Sequence, residues 1–332
     1  MSITTDMTKV HLTRSQVWDA QIKEALLDEL SGQAYVRWLT NFPDGENLTI
    51  PSIGEATIRD YTENTGAVFD SLDTGEFQFN ISEYKQNGLY ITKKARQDAY
   101  YAAQLEAGFV PKMQRALAEQ LESDIFSIAD ANSKWVHKQT AGNLNNINGA
   151  KHRWVATGTG PNGNAGSIQI RDFASALYAL KRANVPDSNL IAIVDPSVEF
   201  TFNVLSDVVS ISNPTPQWDS INQTGITSGM RFIRNIYGFD IYVSNYLARN
   251  GAAETIAGAT ASAGNFANNI FMSASSPDII PFIGAWRQEP TVESEYNMKF
   301  QREEYMLTAR YGLDLYRPEN LVTVLTNTDV VQ

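Results

Sequence analysis

The chain opens on a polar stretch, MSITTDMTKVHLTRSQ, and its first sustained periodicity follows at once. Thr13 can cap a helix whose apolar positions Trp18, Ile22, Leu26 and Leu30 recur every fourth residue and stop near Gly32. Such a helix either docks on its own domain or forms an arm that lies on a neighbouring molecule. From about residue 43 to 92 the texture changes to strands and turns. Leu48, Thr49 and Ile50 run into Pro51, and Phe77, Phe79 and Ile81 alternate with Gln78, Asn80 and Ser82, the period of a strand with one apolar face. Between them lies TENTGAVFDSLDTGE, rich in turn residues and poor in large apolar ones. A hairpin this long has little local surface to bury, so it is expected to project and find its partner elsewhere.

Helix signals resume at Thr92 and strengthen where Gly108, Phe109 and Val110 meet Pro111, whose fixed φ and missing amide suit a first helical turn. Met113, Leu117, Leu121, Ile125 and Ile128 then form one stripe, and Lys112, Arg115, Glu119 and Glu122 fall mostly elsewhere. A helix over 111–131 would be roughly 30 Å long, enough to act as a rod. The Gly- and Asn-rich stretch 132–167 reads as irregular connection around a strand-like Trp154, Val155 and Ala156. A helix carrying Phe173, Leu177 and Leu180, the apolar run 190–194, and a helix opened by Asp195 and Pro196 through Phe200 and Val204 predict a sheet covered by helices. Strands are expected at 239–243 and 270–272. They flank NGAAETIAGATASAGNFANN, which looks too poor in bulk to pack a core and reads as an exposed loop. Segments 291–295, 298–309, 313–316 and 321–325 predict long strands with Arg302, Glu303 and Glu304 on a wet face, and no repeat recurs at a fixed period.

At 332 residues the chain makes two or three compact units, or one long α+β body with arms. Hydrophobic residues at 43% and charged residues at 19% give an ordinary globular balance. The 26 Lys plus Arg against 37 Asp plus Glu leave a net charge of -11, a field that repels phosphate and speaks against sequence-directed nucleic-acid binding. The same charge would suit the wall of a DNA container. There is no cysteine, which removes disulfides, thiolate nucleophiles and Cys-based metal sites together. The N-terminus has no basic segment leading into an apolar run, and no apolar stretch approaches the ~20 residues that span a bilayer, so the expected place of synthesis is the cytoplasm, without a membrane.

The best catalytic decoy is Gly158-Thr159-Gly160-Pro161-Asn162-Gly163, a literal GxGxxG between a short strand and a helix. Pro161 restricts its turn and the helix begins only near Arg171, so it reads as a flexible loop in preference to a dinucleotide turn. His11, His137 and His152 each lack a second ligand at metal-site spacing and are expected on surfaces or loops. Paired acids such as Glu303 and Glu304 fit a solvated strand face better than a catalytic dyad. Aromatic residues, 11% of the chain, have few interleaved cations and suit core and interface packing. No catalytic, cofactor-binding or metal-ligating residue is therefore assigned.

Several phrases resemble one known family. ISEYKQNGLYITKKARQDAYY leading into PKMQRALAEQLESDIFSIADAN is similar to the hairpin return strand and spine helix of the tailed-bacteriophage major capsid proteins with the Hong Kong 97 fold. IAIVDPSVEFTFN and YGFDIYVSNYL resemble their central axial domain, and ARYGLDLYRPENLVTVLT resembles their closing strands. The likeness covers nearly the whole chain and rests on element order. It implies an α+β fold with an N-terminal arm at 1–43, an extended β-hairpin loop at 44–92, a peripheral domain with the spine helix at 93–167, an axial domain at 168–285, and peripheral return strands at 286–332.

The function so implied is that of a non-enzymatic subunit that assembles as pentamers and hexamers into an icosahedral head shell around double-stranded DNA. Trp18 and Ile22 on the arm, and Val68, Phe69 and Leu72 on the loop, are then expected at subunit contacts, and Met113, Leu117, Leu121, Ile125 and Ile128 in the core under the rod. A portal, a possible decoration protein and a separate scaffolding protein are implied partners, the last because only about forty residues precede the loop. Some relatives weld their shells through an extended-loop lysine, and none lies between Glu46 and Tyr84, so no such crosslink is expected. The competing readings are an encapsulin-like compartment, a tail-tube subunit and a dinucleotide-binding enzyme.

Overall fold

In the computed structural model, the structure describes residues 32–39, 47–53, 60, 63, 74–98, 102–130, 146–160, 163–204, 235–256 and 258–331. A 3₁₀ turn, Gly32–Tyr35, leads into β1 (Val36–Leu39). A two-stranded hairpin follows, β2 (Asn47–Ile53) against β3 (Thr74–Asn80), and the chain continues into β4 (Glu83–Thr92). A short α1 (Lys93–Asp98) precedes the rod, α2 (Ala102–Ser127).

The rod begins earlier than its sequence signals predict. Pro111 lies inside α2 instead of in its first turn. An internal proline forgoes one hydrogen bond at a cost of about 3 kcal/mol. Here the run Ala102, Ala103, Gln104, Leu105, Glu106 and Ala107 consists of strong helix formers that favour extending the helix past that defect. At the other end the helix stops at Ser127, and Ile128, Ala129 and Asp130 donate backbone hydrogen bonds three residues back, a tightened final turn.

The stretch expected to be irregular holds small strands in its described part: β5 (Asn146–Ile147) with β6 (Ala150–Lys151), then β7 (Arg153–Val155), then β8 (Gly158–Thr159) with β9 (Ala165–Ser167). Next come α3 (Ile170–Arg182), β10 (Leu190–Val194) and α4 (Pro196–Val204), in the expected order. Asp172 accepts from the Gln169 amide at 2.8 Å and from the Trp154 indole at 3.1 Å, which fixes the start of α3. Then follow β11 (Asn235–Ile236), β12 (Phe239–Val243), β13 (Glu254–Ile256), β14 (Ala259–Ala261), β15 (Phe266–Ser273), β16 (Phe282–Asn297), β17 (Arg302–Leu315) and β18 (Val322–Asn327). The last long strand pair is joined at 298–301, so Met298 and Phe300 sit in a turn and not in the strand predicted from residue 298.

Two main sheets result. One has four strands in the order β1-β16-β17-β4, and the other six in the order β11-β12-β10-β15-β18-β7. β10 explains the second: Ile191 and Ile193 enter one core cluster, and Leu190, Ala192 and Val194 enter another, so its alternating faces are both buried. The first cluster joins this sheet to the rod, through Leu121, Ile125 and Phe126, and to the four-stranded sheet, through Phe282, Tyr311 and Leu313. The second lies under α3 and α4, where Phe173 meets Phe202, Phe239 and Phe271 edge-on, with centroids 5.6, 6.3 and 5.0 Å apart.

This pairing links strands from several of the segments named from sequence. β4, grouped with the loop, is a strand of the four-stranded sheet and is paired along β17 from Glu83 to Thr92. β7 and β18, grouped with the peripheral segments, complete the six-stranded sheet. Strand partners are non-local, and alternation alone cannot choose them. The segment expected as an exposed loop also differs. It forms the β13–β14 hairpin, and Ala261 and Phe266 are buried against Val155 and Leu325. Small residues suffice because they cap an existing sheet edge instead of building a core of their own.

His152 is a further correction, being fully buried between β6 and β7, with Nδ1 3.1 Å from the Ala150 carbonyl. Burial disfavours the imidazolium and holds the ring below the usual histidine range, partly offset by the backbone at Ala150 and Glu319. A folded pKa below the unfolded one means this contribution is complete above about pH 6.5 and is lost as pH falls through 6.5 toward the folded value. Thermal unfolding followed from pH 8 to pH 5 is expected to show falling stability below pH 6.5. The difference between the wild type and His152→Gln should isolate that slope from the other histidines.

Candidate assembly surface

The rod α2 touches both main sheets and sets where the outlying elements are anchored. Met113 and Leu117 pack on Leu307 and Ala309 of the four-stranded sheet. Leu121, Ile125 and Ile128 enter the cluster shared by both sheets. One stripe thus fastens a single helix to both bodies of the fold. Leu121→Ala leaves a cavity at this junction and is expected to cost roughly 2–5 kcal/mol, read as a lower denaturation midpoint.

Three polar ties, none visible as a motif, hold the frame at its joints. Asp124 on the rod accepts from the Tyr311 hydroxyl at 2.7 Å and lies 3.1 Å from Lys85 Nζ, and Lys85 also meets Glu83 at 3.0 Å. Burial, then the bond to Asp124, push the Tyr311 phenol far above its ordinary range. Burial opposes the Lys85 charge, but Glu83 and Asp124 outweigh it and raise its pKa. The start of β4 is thereby locked to the rod and to β17. The second tie is Glu122, whose buried carboxylate accepts from the Gly32 amide at 2.7 and 2.8 Å. A Cβ on Gly32 would stand 2.7 Å from that carboxylate, so any side chain there would push the carboxylate off this bond. The third is Arg153, a fully buried guanidinium that donates to the Ala129 carbonyl at 2.8 Å, to Asn268 at 3.1 Å and to both oxygens of Glu254 at 2.8–3.2 Å. It joins the end of the rod to the six-stranded sheet and to β13.

Outside this frame, Phe79 and Ile81 pack with Ile283 and Ala285, anchoring the hairpin where β3 turns toward β4. Beyond the base, β16, β17 and β4 form a three-stranded blade. Its far end carries Tyr90, Tyr296, Met298 and Phe300, all exposed, with Met298 at 81%. The Arg302 guanidinium covers the rings of Tyr90 and Phe300 at 4.5 and 4.8 Å. Beside them α1 is tied down by Arg96 on Glu303 at 2.6 Å.

The five residues expected at subunit contacts, Trp18, Ile22, Val68, Phe69 and Leu72, lie outside the described residues. The glycine-rich decoy does not form a phosphate cradle. Its Gly163 amide donates to Gly160 O at 2.9 Å, and the Gly160 amide to Asn164 O at 2.8 Å, so these donors close the β8–β9 hairpin. Among the described residues no group of three His, Cys, Asp or Glu could hold a metal ion, and no helix is long and apolar enough to cross a membrane.

Comparison with known proteins extends these features. The profile of a phage capsid protein family matches residues 76–324. Similar solved structures include the asymmetric unit of the bacteriophage PhiM1 mature capsid, with a TM-score of 0.67, 13% identity, and 95% of each chain covered. The capsid structure of the cyanophage P-SCSP1u gives a TM-score of 0.66 at 12% identity over 93% of this chain and 91% of that one. A chain of Mycobacterium phage Che8 gives 0.64 at 16% identity over 94% and 96%. No curated protein matches by sequence. At such identities the structural likeness fixes the fold, and the family assignment rests on the profile.

Proposed function

Because the chain belongs to the phage capsid protein family and has the Hong Kong 97 fold, we propose that its copies occupy five-fold and six-fold positions of a closed icosahedral shell around double-stranded DNA. It is a structural subunit, and its place is the virion capsid. The observation that carries the reading is the family match from 76 to 324, which takes in the rod and nearly all of both sheets. Assembly takes place in the host cytoplasm, with a separate scaffolding protein, a portal and, on the outside, a decoration protein. No reaction is catalysed.

In this reading, 1–43 is an arm and 44–92 an extended loop based on β4. The bodies around the four- and six-stranded sheets are the peripheral and axial domains. Trp18, Ile22, Val68, Phe69 and Leu72 touch neighbouring copies. At about 25 cal/mol per Å² of apolar area, less the cost of ordering, each contact is weak and reversible, and the closed array is stable through their number. Reversibility allows a misplaced subunit to leave before closure.

Negative-stain microscopy of the chain, made with and without its gene neighbours, tests the proposal. Closed shells are expected. Open helical tubes would favour the tail-tube alternative, and a strict monomer would refute assembly. Uniform shells of one size from the chain alone would remove the need for a scaffold. Mature particles boiled in detergent should run as monomers, because no lysine lies between Glu46 and Tyr84 to crosslink, and a ladder of covalent multimers would contradict that.

A further inference from the structure

The blade formed by β16, β17 and β4 has two outer edges, and the sequence treats them differently. Past Ala285, β16 has no partner on the side away from β17 among the described residues. That edge carries Pro290, register breaks between Trp286 and Thr291, and exposed Glu289, Glu293 and Glu295 beside Arg287. Proline, bulges and charge are the devices that keep an edge strand from pairing with another chain. The opposite edge is β4, ten residues long with no proline and no register break.

Among the described residues β4 has no strand partner on that side, and the orientation of its outward groups follows from one bond. The Lys93 amide donates to Gln301 O at 2.8 Å, and that pair extends the β4–β17 register, in which Thr92 faces Arg302. Hydrogen-bonded and non-bonded pairs alternate along an antiparallel ladder. Tyr84, Gln86, Gly88 and Tyr90 therefore point their amides and carbonyls away from β17. All four are uncharged and exposed, Tyr84 at 60% and Tyr90 at 61%. The charged Glu83 and Lys85 alternate with them and belong to the tie at Asp124.

We infer that the β4 edge accepts an extended strand from a second copy of this chain, making one continuous sheet across two subunits. Charge selects the occupant. Each copy carries a net charge of -11, so two copies approach best along a strip without charge, whereas a basic partner would be drawn to the acidic β16 edge. Tyr84 and Tyr90 would flank the incoming strand and give it aromatic cross-strand neighbours. The inference rests on the shell reading and adds a main-chain contact to it.

Hydrogen exchange on the peptide spanning 83–92 of the full chain tests this, comparing the unassembled subunit with shells made of this chain alone. The amides of Tyr84, Gln86, Gly88 and Tyr90 should exchange freely in the subunit and at least tenfold more slowly in shells. Gln86→Pro removes one outward donor without touching the ladder to β17. It should keep the subunit's thermal midpoint within a few degrees and lower shell yield. Shells whose edge amides exchange as fast as those of the subunit would overturn the inference and leave the shell reading standing. So would protection seen only in particles containing a second gene product. A chain that forms no shells even with its gene neighbours would remove both.

Discussion

Phe69→Asp is expected to leave the subunit folded and to lower the yield of closed shells by more than tenfold. The residue lies in the segment GAVFDSL between β2 and β3, where the sequence offers Val68, Phe69 and Leu72 no local core. A buried aromatic anchor at an interface is worth roughly 2 kcal/mol or more, and each 1.4 kcal/mol is a factor of ten in an equilibrium constant. In the proposed shell every copy makes the contact, so the loss is repeated around the particle. Circular dichroism and the thermal midpoint should match the wild type, and sedimentation should show subunits in place of particles. Undiminished particle yield would mean that Phe69 is not at a contact.

Arg153→Met should do the reverse and strike the fold. Removing one partner of a buried ion pair costs roughly 3–5 kcal/mol, because the other is left without its counter-charge. Here Glu254 loses its three bonds to the guanidinium, and the Ala129 carbonyl at the end of the rod loses its donor. Denaturant titration of the subunit should show a large drop in midpoint. Glu254→Gln, which keeps acceptor and donor atoms beside Arg153, should cost less. Equal stability of Arg153→Met and the wild type would show that this junction does not hold the rod to the six-stranded sheet.

Much of the frame was legible in sequence because its signals are local. The run 190–194 is short, wholly apolar and bounded by turn residues, and it is a strand buried on both faces. The four-residue spacing of Met113, Leu117, Leu121 and Ile125 marks the rod, and all four are buried. The helix after Asp195 begins at Pro196, where a proline belongs. The errors arose where a local signal competed with distant contacts. Pro111 read as a start because its preference for a first helical turn, just after Gly108, outweighed the helix formers at 102–107. The alanine-rich stretch around residue 259 read as a loop because its partners, Val155 and Leu325, are remote in sequence. Arg153 carries no sequence mark of its role, since Ala129, Glu254 and Asn268 come from three separate segments.

The physical account is a division of labour. A helix fastened to both sheets supplies stiffness and polar ties fix its joints, and in the proposed shell the arm and hairpin find their burial on other copies. Cryo-electron microscopy of assembled particles tests this most directly, by showing where the β2–β3 hairpin of one subunit lies. The expected map is a closed shell with each hairpin resting on a neighbouring copy. A hairpin folded back on its own subunit in every position, in a shell that still closes, would contradict the account.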